Sequence, residues 1–138
     1  MADADEAIRR FGAAGYPDEA CGVLIGALLP SGGVRIDEVT RGRNLRADRM
    51  RDRYELDPGA IVEAERAARA RGLDVVGFWH SHPDHPARPS DFDTERAWSD
   101  YVYAIVSTSA TGTGDLRAWV LDEAVRAFVE ASIDEGSP

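Results

Sequence analysis

Residues 73–80 read Leu-Asp-Val-Val-Gly-Phe-Trp-His, an apolar run of strand length in which aliphatic and aromatic side chains fall at nearly every position. A strand with apolar side chains on both sides of its pleat has to be covered on both sides. The chain therefore needs a sheet with helices packed against it rather than an exposed ribbon.

The flanking patterns supply the rest of that architecture. Ala7, Ile8 and Phe11 recur at helical spacing between Asp5 and Gly15, with Pro17 beyond, and predict a short amphipathic helix. Ala20 to Leu29, carrying Val23, Leu24, Ile25, Leu28 and Leu29, reads as a strand. The turn Pro30-Ser31-Gly32-Gly33 then leads into a second strand through Val34, Ile36 and Val39. Residues 41–56 are polar and irregular and read as a surface loop. Asp57-Pro58 is an N-cap followed by proline at the first helical position, opening a helix that runs to Arg71-Gly72. Ser90 to Ser99 reads as another helix, and Tyr101 to Thr108 and Leu116 to Leu121 as strands separated by a turn over 110–115. Val125, Ala127, Val129 and Ala131 alternate as a last strand, with a helix as the other reading. The order predicts an α/β (α+β) fold: one mixed sheet flanked by helices, a single domain over residues 1–138.

Charge and composition remove several function classes. A net charge of −9 argues against non-specific nucleic-acid binding, which needs clustered cations. No apolar run approaches the ~20 residues that span a bilayer. The acidic start Met1-Ala2-Asp3-Ala4-Asp5-Glu6 is unlike a secretory signal. Cys21 is the single cysteine, so no internal disulfide forms, and a reducing cytoplasm is the expected compartment. Six arginines, Arg41, Arg43, Arg46, Arg49, Arg51 and Arg53, lie within 13 residues. They read either as a solvated loop or as a positive patch for an acidic protein partner, with Arg46, Arg49 and Arg51 as candidate contacts.

The chemistry-bearing residues lie just past the apolar run. His80-Ser81-His82-Pro83 is followed by Pro89-Ser90-Asp91-Phe92-Asp93, and His80, His82 and His85 are the only 3 histidines of the chain. Alternate residues of a strand share a face, so His80 and His82 can address one ion from the strand's end. Two imidazoles and a carboxylate suit zinc and leave a fourth position open, the mark of a catalytic rather than structural site. Asp93, in the first turn of the following helix, is the best placed carboxylate. Ser90 and Asp93 also form a capping pattern that needs no metal. Residues 80–85 further match H-x-H-x-D-H, a dinuclear hydrolase pattern that would make Asp84 and His85 ligands. That site requires histidines far downstream, and none follows His85. A metal site of this type also calls for a general base, and local pattern does not separate Glu19 from Glu55, Glu63 or Glu65.

Taken together, Glu19, Cys21-Gly22-Val23-Leu24-Ile25-Gly26, His80-Ser81-His82, seven intervening residues, Ser90, two more and Asp93 closely resemble the JAMM (MPN-plus) metalloprotease family. The resemblance extends from about residue 5 to 130. It implies a curved mixed sheet similar to cytidine deaminases and one Zn2+ per chain with a bound water, held by His80, His82 and Asp93. It also implies Glu19 as general base then acid, and Ser90 as hydrogen-bond donor to the water and the oxyanion. Deamination on such a fold needs a Pro-Cys-x-x-Cys zinc element, which Cys21 alone cannot provide. The chain lacks the insertions of the large ubiquitin-removing members and looks like the small prokaryotic ones. Those imply hydrolysis after the C-terminal Gly-Gly of ubiquitin-like sulfur-carrier proteins or their conjugates, with homodimerisation left open. The alternative from another class is a non-catalytic or partner-activated binding module.

Overall fold

A computed structural model describes residues 2–30, 33–42, 44 and 56–131. Its elements run α1 (Ala2–Gly15), β1 (Cys21–Leu28), β2 (Val34–Val39), α2 (Pro58–Ala70), β3 (Asp74–Pro83), α3 (Asp91–Arg96), β4 (Val102–Ser109), β5 (Gly112–Asp122) and β6 (Ala127–Ala131). The strands form one 6-stranded sheet in the order β2-β1-β3-β4-β5-β6. The apolar run lies at its centre: β3 pairs antiparallel with β1 and parallel with β4, and the remaining pairs are antiparallel. The mixed sheet flanked by helices matches the predicted fold class.

Both faces of β3 are covered, as its composition requires. On one side α1 packs through Ala4 and Ile8 against Leu24, Ile36, Trp79, Ala104 and Val106. On the other, Ala64 and Ala68 of α2 pack against Val23, Ile25, Phe78 and Tyr103. Successive residues thus alternate between two cores: Val23 and Leu24 point to opposite sides, as do Phe78 and Trp79. The start of α2 follows the sequence signal, with the Asp57 carboxylate accepting from Gly59 N at 2.9 Å and Pro58 opening the helix.

β3 runs to Pro83, so His82 is a strand residue, as the shared face of the two histidines requires. Three expectations shift at their boundaries. The helix expected to reach Ser99 ends at Arg96, because Ala97 is extended (φ −81°, ψ 150°) and buried in the core. The turn expected over 110–115 spans only Ala110 and Thr111, since Gly112 (φ 128°) already pairs with Ser109. The last segment is a strand, Ala127–Ala131, paired with β5. The 41–53 arginine cluster falls mainly outside the described residues, Arg46, Arg49 and Arg51 included.

Trp79 anchors the α1 face. Its ring stacks on Phe11 at 6.1 Å between centroids, and its indole N–H donates to the Thr40 carbonyl at 2.7 Å. That indole crosses Gly22, where an added Cβ would lie 1.9 Å from the Thr40 oxygen and 2.3 Å from Nε1. The carbonyl belongs to the backbone and cannot step aside as a flexible side chain would. Gly22→Ala is therefore expected to destabilise the fold by about 2 kcal/mol. Thermal denaturation should show the midpoint falling by roughly 6 °C, and an unchanged midpoint would contradict this packing.

Candidate metal centre

The even-numbered side chains at the end of β3 share the face of Phe78, so His80 and His82 emerge beside the α2 core. Ser90 caps α3. Its side chain accepts from Asp93 N at 3.1 Å, and Asp93 Oδ2 accepts from Ser90 N at 2.9 Å, a complete capping box. The same Oδ2 is 3.2 Å from His80 Nε2 and 3.1 Å from His82 Nε2, which are 3.1 Å from each other. The cap and the ligand geometry thus coexist in one carboxylate.

Glu19 joins these groups through sheet pairing. Cys21 is opposite His80 in the β1–β3 register, and the ladder continues one step further as Ser81 N donates to the Ala20 carbonyl at 2.9 Å. Glu19, two residues before Cys21, therefore lies on the histidine face. Its carboxylate and one ring nitrogen of each of His80 and His82 all lie within 4.8 Å of one another. Glu55 lies outside the described residues, while Glu63 and Glu65 are on the exposed side of α2.

The residues present fit a zinc ion. Tetrahedral ligands at about 2.0–2.1 Å from zinc are separated by about 3.3–3.4 Å, close to the 3.1–3.2 Å separations of the three donor atoms. His82 Nδ1–H donates to the Pro86 carbonyl at 2.9 Å, which leaves the Nε2 lone pair facing the cluster. Lone pairs converging on one point repel unless a cation lies among them. Exposures of 4% for Glu19, 1% for His80 and 8% for His82 and Asp93 remove most of the water that would otherwise solvate them.

Burial lowers the His80 imidazole from 6.5, against the opposing pull of Asp93. Burial alone would raise the Asp93 carboxyl, but the two histidines and the Ser90 amide outweigh it and hold it well below the usual carboxylate range. Neutral imidazole beside ionised carboxylate is the state a divalent cation requires. Burial, reinforced by the nearby Glu19 charge, pushes the Cys21 thiol up to about 12, so it stays protonated in the metal-free protein.

Glu19, His82, His85, Pro86, Arg88 and Ser90 line a cavity of about 240 Å³ that gives access to the cluster. Asp84 (φ 60°) turns the chain out of β3, donates its N–H to the Thr108 carbonyl at 2.7 Å and accepts from the Tyr16 hydroxyl at 3.0 Å. It holds the α1–β1 connection, and His85 is exposed at the cavity rim.

Three supporting residues have no local sequence signal. Ser81 faces away from the histidines, and its hydroxyl accepts from Ala20 N at 2.8 Å. Asn44 donates to the Glu19 carbonyl at 3.2 Å. Arg126 (φ 51°), between β5 and β6, donates to the Ala97 carbonyl at 3.2 Å and to those of Thr94 and Glu95 at 3.5 Å, gripping the C-terminal end of α3. Alternation along β3 places Ser81 on the opposite face, but the contacts of all three depend on tertiary structure.

The sheet and this cluster define a class of protein in which a paired strand presents two histidines to a capped carboxylate. The family of prokaryotic homologues of the JAB domain matches residues 1–122, and the chain belongs to it. Membership makes the chain an enzyme of the JAMM peptidase type. It is 41% identical over 127 residues to the desampylase of Haloferax volcanii, covering 88% of this chain and 87% of that one. It is 36% identical over 112 residues to the CysO-cysteine peptidase of Mycobacterium tuberculosis, covering 80% and 73%. The solution structure of a Salinibacter ruber protein superposes with a TM-score of 0.77 at 39% identity, covering 100% of this chain and 91% of that one. No helix among the described residues is long and apolar enough to cross a membrane.

The lowered His80 value fixes a pH trend for the metal-free protein. The unfolded chain takes up a proton near pH 6.5 that the folded chain does not, so stability is present above that pH and is lost as pH falls toward the folded value. Unfolding in the presence of a chelator should show stability falling from pH 7.5 to 5, and less steeply in His80→Asn. Equal slopes in the two proteins would contradict a buried neutral imidazole.

Proposed function

We propose that the chain is a zinc-dependent hydrolase that cleaves the peptide or isopeptide bond after the C-terminal Gly-Gly of a ubiquitin-like sulfur-carrier protein, with residues 1–138 acting as one domain in the cytoplasm. The convergence of His80, His82 and Asp93 beside the Glu19 carboxylate carries this reading. The names of the relatives, a desampylase and a peptidase acting on CysO-cysteine, support the substrate class.

In this reading His80, His82 and Asp93 hold the metal. When bound, zinc supplies a Lewis acid that polarises the scissile carbonyl and lowers the pKa of a coordinated water to ~7. Glu19 takes the proton released as the water oxygen bonds to the carbonyl carbon. It returns that proton to the leaving nitrogen as the C–N bond breaks, so the carboxylate is regenerated. Ser90 Oγ accepts from Asp93 N and still has its own O–H to donate, and its place on the cavity wall suits a carbonyl oxygen gaining negative charge. A Gly-Gly tail suits a cavity of this size, because an extended segment without side chains brings its scissile carbonyl close to the metal.

Carrier proteins extended at the C-terminus, incubated with the enzyme and followed by mass spectrometry, test the assignment. Glu19→Gln should retain zinc while losing about a hundred- to ten-thousandfold in rate, and chelation should stop cleavage. Undiminished cleavage by Glu19→Gln would sink the mechanism. We further propose that the arginine cluster of residues 41–53 meets the carrier's acidic surface. The combined Arg46→Ala, Arg49→Ala and Arg51→Ala variant should raise KM severalfold at low salt and little at high salt. An unaltered KM at low salt removes these arginines from recognition.

A further inference from the structure

The cavity beside the cluster holds an unused cation. Arg88 lines it together with Glu19, His82, His85, Pro86 and Ser90, and among the described residues its guanidinium makes no ion pair or side-chain hydrogen bond. Its backbone is tethered, with Arg88 N donating to the Pro86 carbonyl at 2.8 Å, and the adjacent Ala87 is buried at 2% exposure. The Ala87 carbonyl accepts from the Trp119 indole at 3.0 Å, which fixes the loop to β5. The same Pro86 carbonyl accepts from His82 Nδ1. The arginine thus projects from a segment that also orients a metal-site histidine.

We infer that Arg88, with His85 at the rim, forms a carboxylate subsite for the leaving group, selecting carriers whose scissile bond is followed by a single amino acid with a free α-carboxylate. The inference rests on the proposed hydrolase function and names the substrate class within it. A single amino acid attached through its α-nitrogen keeps its carboxylate within about 4 Å of the scissile carbon, because only the nitrogen and Cα intervene. That anion must therefore occupy the same cavity as Glu19, a carboxylate that would repel it. A guanidinium in the cavity wall cancels the repulsion and can take both carboxylate oxygens at once. A leaving group joined through a lysine side chain has an uncharged methylene stem at this point and gains nothing from the arginine.

The test uses a ubiquitin-like carrier ending in Gly-Gly and extended by one alanine, prepared as the free acid and as the C-terminal amide. For the wild-type enzyme, kcat/KM should favour the acid by about ten- to a hundredfold, the range of charge-assisted hydrogen bonds. In Arg88→Ala the acid-to-amide ratio should fall close to one, while Arg88→Lys, which restores charge without the fork, should lie between. Zinc content and thermal midpoint, measured on each variant, separate loss of the subsite from loss of the fold. Equal wild-type rates on acid and amide overturn the subsite and leave the hydrolase reading standing. A wild-type preference that persists in a folded, zinc-loaded Arg88→Ala overturns the assignment to Arg88. Cleavage of neither substrate overturns the hydrolase reading and the subsite with it.

Discussion

The pairing of β3 on both edges is the constraint on which the rest of the structure depends. Antiparallel β1 on one side and parallel β4 on the other leave the strand no freedom of register, and its two faces are packed by different helices. A shift of one residue would exchange Trp79 with His80 and put imidazoles into an apolar core. Because that exchange is so unfavourable, the packing of Phe78 and Trp79 also fixes where His80 and His82 emerge. The strand's far end inherits its positional accuracy from the core, and the Pro86 carbonyl then orients the His82 ring.

The same pairing explains how Glu19 reaches the site. Residue 19 is 61 positions before residue 80, and no local periodicity relates the two. The Cys21–His80 register relates them, and the bonds of Ser81 with both backbone groups of Ala20 hold the relation one residue before the start of β1. Ser81 therefore has two distant effects from the face opposite the histidines: it closes the ladder and it sets the peptide next to Glu19. Replacing Ser81 with alanine would leave a buried Ala20 N–H without that acceptor, a cost borne next to the carboxylate.

Legibility in the sequence followed the range of the interactions. The shared face of His80 and His82 is readable because alternation along a strand is local, and the capping role of Asp93 because a cap is local. α2 was readable from Asp57-Pro58 for the same reason. Glu19 could be reached only through the resemblance, since its partner strand is distant in sequence. The sequence pattern carries α3 too far because Ala97, a good helix former, is pulled into the core beside Tyr103 and Leu121, and burial outweighs propensity. It makes the β4–β5 turn too long because Thr113, Gly114 and Asp115 resemble turn residues, whereas strand pairing begins at Gly112. Arg126 and Asn44 were invisible because both act through backbone carbonyls that only the fold brings near.

The dependence of Asp93 on its surroundings carries this one step further. α3 has only 6 residues, far below the ~12–15 needed for an isolated helix to hold together in water. Its conformation is supported at both ends, by the Ser90 capping box at the start and by Arg126 on the carbonyls at the finish. Arg126 belongs to the β5–β6 connection, so the position of one carboxylate oxygen depends on a hairpin at the edge of the sheet. The two histidines are strand residues in the centre of the sheet, with only the Pro86 carbonyl added to orient His82. The cluster is thus asymmetric: two imidazoles set by the central strand and one carboxylate whose helix is held by caps. Stability of the hairpin and placement of the Asp93 carboxylate are then linked quantities, because both depend on the short helix that Arg126 closes.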